Sequence, residues 1–100
     1  MIIRVEIYKF KARQGRIALS NLREHLALVA KYRGCLEARM GRSPEDQDQF
    51  LVYSRWDSPE SHSTMALQTR RSPETQKALL PLASLIEREP RINHFEVLDG

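Results

Sequence analysis

The most constraining feature of this chain is the order in which its hydropathy period changes. Ile2-Ile3-Arg4-Val5-Glu6-Ile7-Tyr8-Lys9-Phe10 alternates apolar and polar side chains, the pattern of a half-buried strand. Gln14-Gly15 breaks it. From Arg16 onward Leu19, Leu22, Leu26 and Val29 recur at steps of three and four, one stripe of an amphipathic helix. Gly34 stands where a helix C-cap glycine belongs. Cys35-Leu36-Glu37-Ala38-Arg39-Met40 alternates again, Ser43-Pro44-Glu45-Asp46 is turn-like, and Phe50-Leu51-Val52-Tyr53-Ser54-Arg55-Trp56 reads as a strong strand. These two strands and their polar loop predict an antiparallel hairpin.

Helix starts are marked by their capping chemistry. In Ser58-Pro59-Glu60 the serine can accept an orphan amide, the proline has no N–H to leave unpaired, and the glutamate complements the positive end of the helix dipole. Ser72-Pro73-Glu74 repeats the signal, so residues 59–89 are expected to form two helical pieces. Leu79, Ala83 and Ile86 mark the apolar stripe of the second. Pro81 predicts a kink or restart, because it removes a backbone donor and crowds the preceding turn. Glu89-Pro90 ends the helix, and residues 92–98 form the last strand. The order strand, helix, strand, strand, helix, strand predicts an α+β, ferredoxin-like βαββαβ fold with a four-stranded antiparallel sheet. One hundred residues without a linker predict one domain, 1–100.

Composition narrows the function classes. No apolar run approaches the roughly 18 residues of a membrane span, and the early Arg4 argues against a secretory leader. Cys35 is the single cysteine, which excludes an internal disulfide framework, and we read it as a small buried hydrophobe. A cytoplasmic location is the expectation. The net charge of +3 is a solvated-surface value. Lys9, Lys11, Arg13 and Arg16 form a basic cluster without interleaved aromatics, so nucleic acid is not an expected partner. There is no His-x-x-x-His, Glu-x-x-His or Cys-x-x-Cys spacing and no glycine-rich phosphate loop, so no metal or cofactor is expected.

Alternation sorts the strand residues into two sets. Ile3, Val5, Ile7, Leu36, Ala38, Met40, Leu51, Tyr53, Phe95 and Val97 form an apolar set. Arg4, Glu6, Tyr8, Glu37, Arg39, Ser54, Trp56, His94 and Glu96 form a polar set that also holds Ile2, Phe10, Phe50 and Val52. The expectation is that helices cover the apolar set. The mixed set then becomes a second face, a homodimer interface or a pocket wall. Among the histidines, His25 reads as a boundary residue beside the Leu22/Leu26 stripe. His62 sits in a first helical turn, where the dipole favours the neutral imidazole a general base needs. His94 shares a strand face with Glu96.

Arg33-Gly34-Cys35-Leu36, followed by the hairpin and Phe50 through Glu60, resembles the antibiotic-biosynthesis-monooxygenase-like domains. The likeness rests on a Gly-Cys opening the second strand, a tryptophan closing the third and the helix start behind it, and it spans nearly all of residues 1–98. It implies a homodimer in which two sheets close into a dimeric α+β barrel, with a pocket between helices and sheet in each subunit. It also implies cofactor-free oxygenation of a small aromatic, polyketide or quinol substrate. Many members carry a histidine nine residues after the tryptophan, where this chain has Met65. Under this likeness His62 or Glu6 is the candidate base, Tyr8 or Tyr53 the donor, and Trp56 with Met65 the apolar wall. The alternative is a non-catalytic dimeric module that binds a small hydrophobic ligand or only dimerises.

Overall fold

The computed structural model describes residues 1–100. Its elements are β1 (Ile2–Lys9), α1 (Gly15–Ala30), β2 (Cys35–Arg42), β3 (Gln49–Trp56), α2 (Pro59–Arg71), α3 (Pro73–Leu79), a 3-10 segment (Leu80–Ser84) and β4 (Arg91–Glu96). The four strands form one antiparallel sheet in the order β2-β3-β1-β4. This is the ferredoxin-like α+β architecture, with the helices gathered on one face. No helix is long and apolar enough to cross a membrane.

The caps act as their chemistry dictates. Ser58 Oγ accepts from Ser61 N at 3.1 Å and Ser72 Oγ from Thr75 N at 3.3 Å, so each serine starts a helix whose first turn opens with proline. The start of α1 is capped from a distance: the Asp48 carboxylate accepts from the backbone N–H groups of Arg13 and Gly15, both at 3.0 Å. That contact ties the hairpin loop to the positive end of α1. At Pro81 the chain tightens into the 3-10 segment, the expected restart.

The two faces of the sheet are assigned the other way round from the sequence expectation. The mixed set faces the helices: Ile2, Glu6, Tyr8, Phe10, Phe50, Val52, Ser54 and Trp56 are all buried. The apolar residues Ile3, Val5, Ile7, Leu51, Tyr53 and Phe95 lie on the open face, where Phe95 keeps 57% and Leu51 38% of its surface exposed. Aromatic bulk decides it. Phe10, Phe50 and Trp56 carry more apolar area than the β-branched residues opposite, and they pack on α1, α2 and the 3-10 segment. A bulge between Cys35 and Glu37 then shifts the phase of β2. It sends Ala38 and Met40 to the helix side, away from Leu51 and Tyr53.

Two apolar clusters result. Tyr8, Phe10, Ala18, Leu22, Phe50, Val52 and Leu82 form the larger, and Ile2, Val29, Trp56 and Met65 the smaller. The stripe of α1 is rotated slightly from its expected position: Ala18, Leu22, His25 and Val29 are buried, with Leu19 and Leu26 on its margin. Cys35 packs half-buried against the smaller cluster. Gly34 is not the C-cap of α1, which ends at Lys31. Its φ of +88° forms the turn into β2, and a Cβ there would lie 2.4 Å from Ser61 Cβ and 2.8 Å from Asp57 Oδ1.

Gly34→Ala combines left-handed strain with that overlap, so it is expected to destabilise the fold by about 2 kcal/mol or more. Ser58→Ala loses the cap and the hydroxyl contact with Ser61 but adds no overlap, and it is expected to cost about 1 kcal/mol. Urea denaturation of the two variants checks both values. Equal, sub-kilocalorie effects would contradict the close packing of the Gly34 turn on α2.

Candidate functional site

Between the sheet and the helices lies a cavity of about 560 Å³. Its floor is the polar row of β1, Arg4, Glu6 and Tyr8, which alternation brings onto one face. Its walls come from α1 (His25, Val29), α2 (Met65, Thr69, Arg70), α3 (Thr75, Gln76, Leu79), the 3-10 segment and Ile92 of β4. The break between α2 and α3, followed by the Pro81 restart, keeps any one long helix from lying across this stretch of sheet.

Glu6 organises the floor. Its Oε1 accepts from the Tyr8 hydroxyl at 2.7 Å and lies 3.2 Å from His25 Nε2, while Oε2 lies 3.5 Å from Arg4 Nε. Burial alone would push the carboxyl toward its neutral form. The His25 hydrogen bond and charge, then Tyr8 and Arg4, reverse this and hold Glu6 below the usual carboxylate range. Tyr8 moves the opposite way. Its burial, then the charge and hydrogen bond of Glu6, hold its phenol protonated far above the ordinary range. The donor-to-carboxylate geometry is thus stable through neutral pH.

Next to this group, Arg4 Nη1 lies 3.3 Å from His62 Nε2. The His62 ring lies 5.0 Å from that of His94 and meets Trp56 edge-on at 6.3 Å. Burial, then the Arg4 guanidinium and His94, hold His62 below its ordinary value. A neutral His62 can therefore accept from Arg4 and fix the guanidinium. His94, on the strand face it shares with Glu96, thus packs its ring against His62.

Of the sequence candidates, Glu6, Tyr8 and Met65 line the cavity. His62 does not line it and reaches it only through Arg4. Trp56 is fully buried in the smaller cluster, with Nε1 donating to Ser54 Oγ at 3.0 Å, so it supports the wall from behind. Tyr53 pairs with Val5 on the open face, so the sheet itself separates it from the cavity. Arg4, His25 and Thr75 were not anticipated at the site. For His25 the signal was its spacing, three residues after Leu22 and four before Val29, which places it on the buried stripe. No group of three His, Cys, Asp or Glu side chains is arranged to hold a metal.

The fold is shared with solved structures. A candidate antibiotic biosynthesis monooxygenase from Deinococcus radiodurans superposes with a TM-score of 0.83 at 18% identity, covering 100% of this chain and 95% of that one. One from Nitrosomonas europaea gives 0.84 at 10% identity, covering 99% and 100%. One from Chloroflexus aurantiacus gives 0.75 at 22% identity, covering 99% and 94%. No curated protein matches the sequence. The sequence profile described as antibiotic biosynthesis monooxygenase matches residues 1–79. The Gly-Cys start of β2, the tryptophan closing β3 and the capped start of α2 all fall within that span, and the chain belongs to the antibiotic biosynthesis monooxygenase family.

Proposed function

We propose that the protein is a cofactor-free monooxygenase that oxidises a small phenolic or enolic aromatic compound, of the anthrone or hydroquinone kind, in the cavity between helices and sheet. The observation that carries this reading is the composition of that cavity. A volume of about 560 Å³ fits an aromatic molecule of a few rings. Val29, Met65, Leu79 and Leu82 give its walls an apolar stretch, and on its floor Arg4 and Tyr8 gather around one carboxylate, Glu6.

Such a reaction asks little of a protein. A CH₂ group flanked by aromatic carbonyl chemistry loses a proton and becomes an enolate. The enolate passes one electron to O₂, and the two radicals join to form a carbon–oxygen bond. The resulting peroxide loses water and leaves a ketone. The balance is CH₂ plus O₂ giving C=O plus H₂O, with all four electrons drawn from the substrate. The protein must favour the anion and exclude water. In this chain the Glu6 carboxylate favours proton removal, Arg4 offers a cation to the resulting anion, and His62 fixes Arg4. Met65, Val29 and Leu79 keep the ring system dry.

The same proposal includes a homodimer through the open sheet face. Ile3, Val5, Ile7, Leu51, Tyr53 and Phe95 make a continuous apolar surface there, and no helix of the chain covers it. Glu37 pairs with Arg39 and with Arg55 on the same face, supplying charged neighbours to an apolar centre. A second copy of the chain is the occupant expected from the family likeness, and the interior of the cell the expected location.

Oxygen uptake is expected with at least one member of a panel of anthrones and hydroquinones, yielding a ketone product under air and none under nitrogen. Arg4→Met is expected to lower turnover about a hundredfold, the scale for losing one anion-stabilising donor. Tight binding of panel members without any oxygen uptake would instead identify a ligand-binding module. For the dimer, sedimentation at micromolar concentration is expected to give twice the chain mass, and Val5→Asp, which places a charge at the centre of the open face, is expected to give single chains. A wild-type monomer would refute this part of the proposal.

A further inference from the structure

We infer that His25, positioned by Glu6, is the group that takes the proton from a ligand hydroxyl, and that Thr75 holds the same hydroxyl from α3. This rests on reading the cavity as the place where a phenol or enol loses its proton. It goes further by naming the accepting atom and the functional group it recognises.

Two buried side-chain atoms near this site have no partner. His25 is 5% exposed and Thr75 1%, and both line the cavity. His25 Nδ1 and Thr75 Oγ1 are buried without any hydrogen-bond partner. Buried polar atoms are nearly always paired, because burial strips away water and only a partner replaces it. His25 and Thr75, on the packed pair α1 and α3, both line one cavity, and a ligand held between them would complete the two atoms.

The hydrogen-bond inventory fixes what that ligand offers. Ionised Glu6 can only accept, so the hydrogen between it and His25 sits on Nε2. With that hydrogen on Nε2, Nδ1 carries a lone pair whenever the imidazole holds a single proton, and in that form it needs a donor. Threonine hydroxyl can donate and accept. A ligand hydroxyl satisfies both, donating to Nδ1 and accepting from Thr75. When the proton crosses, the ligand O–H bond breaks, its electron pair stays on oxygen, and an N–H bond forms at Nδ1. The imidazolium so made keeps its Nε2 hydrogen bond to the Glu6 carboxylate.

The other groups on the floor are already engaged. Glu6 receives three donors, from Tyr8, His25 and Arg4. Tyr8 has one O–H and gives it to Glu6. His62 Nε2 faces Arg4 and does not line the cavity. His25, on the α1 wall beside that floor, has a nitrogen without a hydrogen-bond partner. Its role is that of a general base held by a carboxylate, the two arriving on different elements, β1 and α1.

The test uses 2-hydroxyanthraquinone, a dye that carries one ionisable hydroxyl, has no CH₂ to oxidise, and changes colour on ionisation. Bound to the wild-type protein, its ionisation is expected to shift toward acid by at least about one pH unit, tenfold in the ionisation constant. In His25→Asn the bound dye is expected to lose that shift. Thr75→Val is expected to weaken binding about tenfold, the scale of one hydrogen bond, and the methyl ether of the dye, which has no hydrogen to give to Nδ1, to bind the wild type more weakly than the dye does. Nitrogen NMR of wild-type His25 is expected to show a proton on Nε2 and a lone pair on Nδ1, a result that does not depend on any variant folding. A shift retained in folded His25→Asn, a dye that does not bind the wild type, or a proton on Nδ1 of neutral His25 would each overturn the inference. If the acid shift appears and depends on His25 while no substrate consumes oxygen, proton abstraction stands and the oxygenase reading falls.

Discussion

The burial of one carboxylate constrains the rest of this molecule. A charge such as that of Glu6 is tolerated inside a protein only when its oxygens are met by donors. Here the donors come from its own strand, through Arg4 and Tyr8, and from α1, through His25. The contact sets the rotation of α1 about its axis, because His25 must face the sheet for Nε2 to reach Glu6. It also sets which face of β1 the helices cover. Once Glu6 and Tyr8 point inward, strict alternation sends Ile3, Val5 and Ile7 outward.

This explains what was and was not legible in the chain. Element order was legible because each period change is marked by local chemistry. Ser58-Pro59-Glu60 and Ser72-Pro73-Glu74 start the helices where expected, and Pro81 forces the restart. The β1 partition into Arg4-Glu6-Tyr8 and Ile3-Val5-Ile7 was legible too, because a period of two admits no other. Which set faces the helices was not legible. Counting apolar residues favoured the Ile3-Val5-Ile7 face. The outcome was decided by long-range contacts of Phe10, Phe50 and Trp56 and by the pairing of Glu6 with a histidine 19 residues away. The β2 bulge is a further tertiary feature without a local signal strong enough to read in Cys35-Leu36-Glu37.

The site was half legible for the same reason. Glu6, Tyr8 and Met65 carry their address in the strand alternation and the helix spacing. Tyr53 and Trp56 looked equivalent to them as strand aromatics, yet the sheet places Tyr53 on the opposite side and core packing encloses Trp56. Arg4 was sorted into the mixed strand set but not singled out for the site. Its contact with His62 lies 58 residues away in the chain. Thr75 looked like a capping-turn residue, and its backbone N–H does serve the cap of α3 while its hydroxyl is left free.

Position 65 takes on a different meaning in this setting. Nine residues after Trp56 this chain has a buried methionine, Met65, which lines the cavity. A histidine on α2 is one way to bring a nitrogen over the β1 floor. A histidine on the buried stripe of α1 is another, and it has an advantage that α2 cannot offer here: Nε2 reaches a carboxylate on the floor, which orients the ring and favours its charged form after proton transfer. Met65 then does what a thioether does well, filling an irregular apolar wall without competing for hydrogen bonds. On the proposed reading, the proton acceptor belongs to α1, where Nε2 of His25 reaches Glu6, and Met65 of α2 belongs to the apolar part of the lining.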